Sequence, residues 1–444
     1  MNLLVLVLML THAASSDEVV DPTFNHEQLD QFFDHLYEHN RYMGSIGVLS
    51  GDELVYLRAD GYADAEAGIE NTYKTKFPVG SVTKPFTATL VMQLAEEGKL
   101  STDDKLEMYY PEFPNAGDVS IEMLLHHRSG IFSFTNDPDY MEWMNEYHSR
   151  EEMLEIMKSY EPVFEPDSKT EYSNTNYVLL GYILEDVTGS SYQELLKKRI
   201  TEPAELTETY YGKQISTERN EAFSYSYDDG WNIMPETDMS VPHGAGAIVS
   251  TPEDLVRFAQ TLFSGELVSE ESLEKMTSIR DGFGLGLIEY PYYDKTGFGH
   301  TGGIDGYQAN LAIYPDDDLY VAFTTNALSY SNNELLVAIL DTWHGREITL
   351  PDFDSVELSE DFLAQYEGEY ASEQIHLEIS LWVEDGSLMA QGTGQPAFPL
   401  DAGSETLFRF EQAGVVIDFE TTEESGSNNF VLRQGGQEFL FEKK

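Results

Sequence analysis

The 444-residue chain contains no cysteine. That excludes disulfide bonds, thiolate metal sites, a cysteine nucleophile and lipidation through a cysteine. Bases are scarce as well. Lys and Arg number 25 against 80 Asp and Glu, a formal net charge of −55. A surface of that sign repels nucleic acid and anionic membranes, so neither is expected as a partner. No segment is long and apolar enough for an integral membrane span. The apolar run at residues 3–10 is too short to cross a bilayer. Small residues follow it as far as Ser16, as at a signal-peptidase site, although no Lys or Arg precedes it. Residues 1–16 are therefore expected to be a signal peptide and the protein exported, periplasmic or secreted.

What is present describes a folded chain. Apolar residues make up 41% and aromatics 12%, too many for a disordered protein, and the length favours two domains. Residues 24–42 show an amphipathic helical period with Phe32, Phe33 and Leu36 on one face. His35 and His39 share that helix, but no third ligand accompanies them. Two strands joined by Gly51-Asp52 follow at 45–50 and 53–57. Residues 101–240 read as mostly helical. From Gly282 onward, glycine-rich loops and strands take over. Asp316, Asp317 and Asp318 sit between strand patterns and read as a hairpin turn rather than a calcium loop. Beyond a linker at 345–355, residues 356–444 alternate short strands with turns, the texture of a small antiparallel barrel. The expected domains are thus 24–345 and 356–444.

Three short motifs carry chemistry. Ser81 and Lys84 lie three positions apart at the start of a predicted helix, so their side chains share a face. A serine hydroxyl is a poor nucleophile until a base removes its proton, and an amine with a lowered pKa serves. Alone, the pair reads as a helix cap and a solvated lysine. Tyr172-Ser173-Asn174 adds a phenol that beside a lysine can act as base, and an amide that both donates and accepts. His300-Thr301-Gly302-Gly303 adds a glycine-bearing strand edge where a substrate backbone can approach backbone N–H groups. Gly297, Gly299 and Gly302 match a dinucleotide-binding spacing, but a β-like stretch follows where a helix belongs.

Taken in this order, Ser-x-x-Lys, Tyr-x-Asn and His-Thr-Gly resemble the serine β-lactamase-like superfamily. The resemblance is to its class C β-lactamase, D-alanyl-D-alanine carboxypeptidase and esterase group. It extends over residues 24–342. Leu124-Leu125-His126-His127-Arg128-Ser129-Gly130 is similar to a supporting segment of the family, as is the run from Gly244 to Leu255. Lys295-Thr296-Gly297 imitates the third motif. The family's spacing to a Gly-aromatic pair and a proline is met by His300, Gly306-Tyr307 and Pro315, so Lys295 is a loop residue. Pro166-Asp167 stands where relatives usually have Pro-Gly. The terminal barrel resembles the lipocalin-like domain appended to some members.

The resemblance implies an α+β, transpeptidase-like fold: an antiparallel sheet flanked by helices, a mostly helical subdomain, then the barrel. It implies an acyl-enzyme on Ser81, with Lys84 and Tyr172 sharing the base role and the N–H groups of Ser81 and Gly303 forming the oxyanion hole. Asn174, His300, Thr301 and Gly302 would bind substrate. No metal or organic cofactor is implied, and the partner is a small-molecule or peptide substrate. Because His300 replaces a lysine, with at most part of a charge near pH 7, a D-amino-acid or D-Ala-D-Ala-type peptidase is expected. A carboxylesterase ranks nearly level, a β-lactamase third. A non-catalytic penicillin- or peptidoglycan-binding sensor is the reading from a different class.

Overall fold

The structure is a computed structural model that describes residues 24–227, 230–419, 429–435 and 437–444. The expected signal peptide lies outside the described residues. Among those residues, no helix is long and apolar enough to cross a membrane.

Residues Tyr42–Leu328 form one compact unit. Its centre is a six-stranded antiparallel sheet of β1 (Tyr42–Ser50), β2 (Glu53–Asp60), β3 (Ile288–Tyr292), β4 (Lys295–Ile304), β5 (Tyr307–Tyr314) and β6 (Leu319–Leu328). The spatial order is β3-β4-β5-β6-β1-β2, so β6, from the end of the unit, pairs with β1 from its start. β1 and β6 are buried along nearly their whole length rather than at alternate positions. Such continuous burial marks strands covered on both faces. One cover is α3 (Pro252–Phe263), capped by Thr251 and opened by a proline. Gly47 of β1 makes room for it, since a Cβ there would meet Pro252 at 3.2 Å.

The helix α1 (Thr83–Glu96) is buried on almost every side, and its Phe86 stacks on Phe258 of α3 at 3.6 Å between ring centres. A helix apolar all round belongs inside a protein. The helix α2 (Asn174–Thr188) packs beside it and ends at Gly189 in the left-handed conformation. A small ladder brings the chain into α1: Phe77–Pro78 pairs with Ile248–Ser250, which also pairs with Tyr210–Tyr211. The acidic triplet is a turn. Pro315–Asp317 form one 3-10 turn, Asp318 is left-handed, and Asp317 accepts from Lys295 Nζ at 2.7 Å.

The second unit joins residues 24–41 to Ser329–Lys444. The helix His26–Glu38 buries Leu29, Phe32, Phe33 and Leu36, the stripe read from the sequence. His35 Nε2 bonds to Pro351 O at 2.7 Å, and both His35 and His39 lie against the Phe353 ring. Eight strands then close a barrel: β7 (Gly368–Ser372), β8 (Leu377–Glu384), β9 (Ser387–Gly392), β10 (Phe398–Ala402), β11 (Leu407–Phe410), β12 (Val415–Asp418), β13 (Phe430–Gln434) and β14 (Gln437–Lys443). Each pairs with its chain neighbour, and β7 meets β14 at Tyr370 and Lys443. The strand pattern in the sequence is weakest at β7 and β10. β7 carries a single large apolar residue, and β10 contains Pro399, which argues against a strand. The fold class expected from the sequence, sheet with helices plus barrel, is the one observed.

Candidate active site

Ser81 sits in a one-turn 3-10 helix, Gly80–Val82, that runs directly into α1. Gly80 has φ +51° and lies against β4: a Cβ on it would fall 2.8 Å from Gly303 N. Gly302 is equally constrained, because a Cβ there would overlap the Val79 carbonyl. These two glycines let a helix start and a strand touch through bare backbone. β4 pairs with β5 as far as Ile304, but with β3 only as far as Gly299. Residues 300–304 thus run past the end of β3 beside Ser81, and Gly303 is exposed.

Three separate segments meet at the Ser81 hydroxyl. Lys84 Nζ lies 2.9 Å from Ser81 Oγ, 2.8 Å from Asn174 Oδ1 and 2.8 Å from Ala245 O. The Tyr172 hydroxyl donates to Ser81 Oγ at 2.8 Å. Asn174 opens α2, and its Nδ2 donates to Thr135 Oγ1 at 3.0 Å while Ser133 Oγ accepts from its backbone N–H. Ala245 belongs to the short helix His243–Gly246. Gly244 O in the same turn accepts from Thr87 Oγ1 at 2.6 Å, one turn along α1 from Lys84. Two carbonyls of one turn therefore hold α1 and its lysine.

Lys84 is fully buried, and desolvation lowers its pKa well below 10.5. Tyr172 is shifted the other way. Burial raises its phenol far above 10, only partly offset by the bond to Ser81. With the two shifts opposed, a neutral amine and a neutral phenol are favoured at the same time. The sequence expectation that Tyr172 is held partly as phenolate finds no support in these shifts. The Tyr172 ring is enclosed by His127, stacked at 4.3 Å, Phe283 at 6.1 Å and His300 at 6.0 Å. Lys84 Nζ lies 4.9 Å from its centre. His300 Nδ1 donates to Thr301 O at 2.5 Å, which leaves Nε2 as an acceptor. Burial, with the Lys84 charge adding to it, lowers the His300 pKa to about 3.

The structure thus brings Ser81, Lys84, Tyr172 and Asn174 into direct contact, with His300, Gly302 and Gly303 along the adjoining strand. Thr301 pairs with Asn310 in that strand and is half-buried. Lys295 stands at the far end of β4, paired with Asp317. Gly297, Gly299 and Gly302 lie within one strand, not in a phosphate-binding loop. Asp167 has φ +63°, the left-handed backbone that favours glycine. Its carboxylate accepts from Arg128 Nε at 2.6 Å and pairs with Arg280 at 3.1 Å, which offsets the strain of carrying a side chain there. The motifs did not point to Thr135, Ser133 or the Ala245 carbonyl. Backbone acceptors and single hydroxyls leave no spacing to read.

A family model described as Beta-lactamase matches residues 29–341. Penicillin-binding protein 4* of Bacillus subtilis (strain 168) is 28% identical over 448 residues, covering 93% of this chain and 97% of that protein. Teichoic acid D-alanine hydrolase of Staphylococcus aureus (strain MRSA252) is 26% identical over 68% of this chain and 75% of its own length. Among solved structures, D-amino acid amidase from Ochrobactrum anthropi SV3 complexed with D-phenylalanine superposes with TM-score 0.64. It is 25% identical, over 71% of this chain and 98% of that one.

Proposed function

The chain belongs to the Beta-lactamase family and is a serine hydrolase, and from that premise we propose that it hydrolyses amides of D-amino acids through an acyl-enzyme on Ser81. The observation that carries this is the Ser81 hydroxyl, within hydrogen-bond distance of both Lys84 Nζ and Tyr172 OH. Ala245 O and Asn174 Oδ1 can only accept from Nζ. In the amine form favoured by burial, two N–H groups serve them and the lone pair faces Ser81 Oγ. Lys84 then takes the Ser81 proton as Oγ bonds to the substrate carbonyl carbon. The tetrahedral oxyanion is held by the N–H groups of Ser81 and Gly303. Collapse breaks the bond to the amine, which leaves with the proton returned from Lys84 by way of the Tyr172 hydroxyl. Water next attacks the ester on Ser81 along the reverse proton path and frees the acid.

His300 supports the substrate class. A neutral imidazole whose free nitrogen accepts suits an N–H or ammonium group better than a carboxylate. That disfavours substrates recognised by a terminal carboxylate, and it leaves D-amino-acid amides ahead of β-lactams. Asn174 and Thr301 would orient the acyl part and Gly302 would admit its backbone. The similarity to a protein named teichoic acid D-alanine hydrolase favours a second reading, an esterase for D-aminoacyl esters. The proposed layout is a signal peptide at 1–16, a hydrolase domain at 24–345 and the barrel at 356–444, acting outside the cytoplasm.

The test uses D-alanine p-nitroanilide, p-nitrophenyl acetate and a fluorescent penicillin on the purified protein. Ser81→Ala is expected to abolish turnover of the first two. Turnover that survives this change would remove the assignment. Stable penicillin labelling without turnover of either small substrate would favour the sensor reading.

A further inference from the structure

Tyr172 is held from both sides by one residue, His127. Its Nδ1 accepts the Ser173 backbone N–H at 3.1 Å, and its carbonyl accepts the Glu171 N–H at 2.9 Å. The residues flanking Tyr172 are thus both bonded to His127, one through the ring and one through the backbone. The ring also stacks on the Tyr172 ring at 4.3 Å and 29°. This needs an unusual backbone: His127 has φ +58°, rare for a residue that is not glycine. The other sides of its ring meet Tyr177 at 5.2 Å and Phe283 at 5.3 Å. Phe283 is fixed in turn, because its carbonyl bonds to His126 Nδ1 at 3.1 Å. His127 is 2% exposed. Since Nδ1 faces an N–H donor, the ring proton sits on Nε2 and the imidazole is neutral.

We propose that His127 is the positioning residue that holds the Tyr172 hydroxyl on Ser81 Oγ. It is no proton donor or acceptor in the reaction. The inference rests on the acyl-enzyme reading, in which the Tyr172 hydroxyl relays a proton, and it adds that the relay has its own support. A misplacement of about 1 Å in such a group lowers turnover by about a hundredfold. The strained backbone fits this role, since strain retained beside a reactive centre is held there by the surrounding structure.

The left-handed backbone supplies a clean removal. His127→Gly deletes the ring while relaxing the main chain, and His127→Asn keeps an acceptor near the Nδ1 position and suits the same conformation. With p-nitrophenyl acetate, His127→Gly is expected to lower kcat about a hundredfold with KM changed less than about threefold. His127→Asn should recover kcat to within about tenfold of the wild type. Both losses should vanish in a Tyr172→Phe background, because the group being positioned is gone. A wild-type kcat in His127→Gly, or the same loss with and without the Tyr172 hydroxyl, would overturn the proposal. Melting temperatures show which variants are folded. If the glycine variant is not, the smaller loss in His127→Asn must itself disappear on the Tyr172→Phe background. Activity in Ser81→Ala reports on the underlying reaction separately, as the cycle asks only whether His127 acts through Tyr172.

Discussion

The surroundings of Ser81 and the interior of the barrel bury opposite kinds of side chain. Around Ser81 the catalytic unit buries Lys84, His127 and His300 and half-buries Tyr172, all polar and each with a hydrogen-bond partner. The barrel encloses Tyr366, Tyr370, Phe408, Phe430 and Phe441, with ring centres about 5 Å apart in the closest pairs among them, such as Phe430 and Phe441 at 5.0 Å. Burial of rings is favourable without special geometry. Burial of an amine or an imidazole is unfavourable until it is neutral and bonded. The buried groups around Ser81 therefore serve chemistry, and those inside the barrel serve cohesion.

Substitutions can break this contrast. The largest effect is expected at its polar pole: Lys84→Ala should lower turnover of p-nitrophenyl acetate by at least about a thousandfold, some 4 kcal/mol of transition-state stabilisation. Wild-type turnover in that variant would contradict the base assignment. At the apolar pole, Phe430→Ala should destabilise the barrel unit by about 3–5 kcal/mol, read from guanidinium unfolding. A loss below about 1 kcal/mol would mean that the ring cluster is not what holds the barrel.

Acid sharpens the comparison. Unfolded, His300 gains a proton near 6.5, but in the folded unit only at about 3. Between those values the unfolded chain binds the extra proton, so this contribution is complete above pH 6.5 and declines as pH falls toward 3. Unfolding at pH 7 and pH 4.5 should show a stability loss about 2 kcal/mol smaller in His300→Gln than in the wild type. Equal losses would show that His300 does not remain neutral in acid. The smallest effect is expected at Asp167, where replacement by Ala removes the Arg128 partner but keeps the left-handed strain. A loss of about 1 kcal/mol is predicted, and Asp167→Gly should lose less, because glycine relaxes the backbone.

The sequence was legible where a residue's chemistry and its spacing agree. Ser81 and Lys84 sit on one helical turn, so their meeting follows from the helix period. Tyr172 and Asn174 flank a helix start, and the order of the three motifs predicted one shared centre. His127 was visible only as part of a supporting segment. Its function depends on a positive φ and on two backbone N–H groups more than forty positions away, neither of which has a spacing signature. The base question turned on burial. A phenol beside a lysine reads as acidic in sequence, yet enclosure by His127, Phe283 and His300 raises its pKa instead.

The strand order carries a temporal consequence. Apart from the closure of β7 onto β14, each barrel strand pairs with the next one along the chain. In the catalytic sheet, β1 waits for β6, and Tyr42 meets Leu328 only after the whole intervening stretch has been made. A ribosome emitting about 5–20 residues per second leaves the first hairpin with an open edge for many seconds. Closing so long a loop is also entropically slow. Ser81 consequently acquires its surroundings late, and a chain halted before residue 295 would present Ser81 without β4, the strand it lies against.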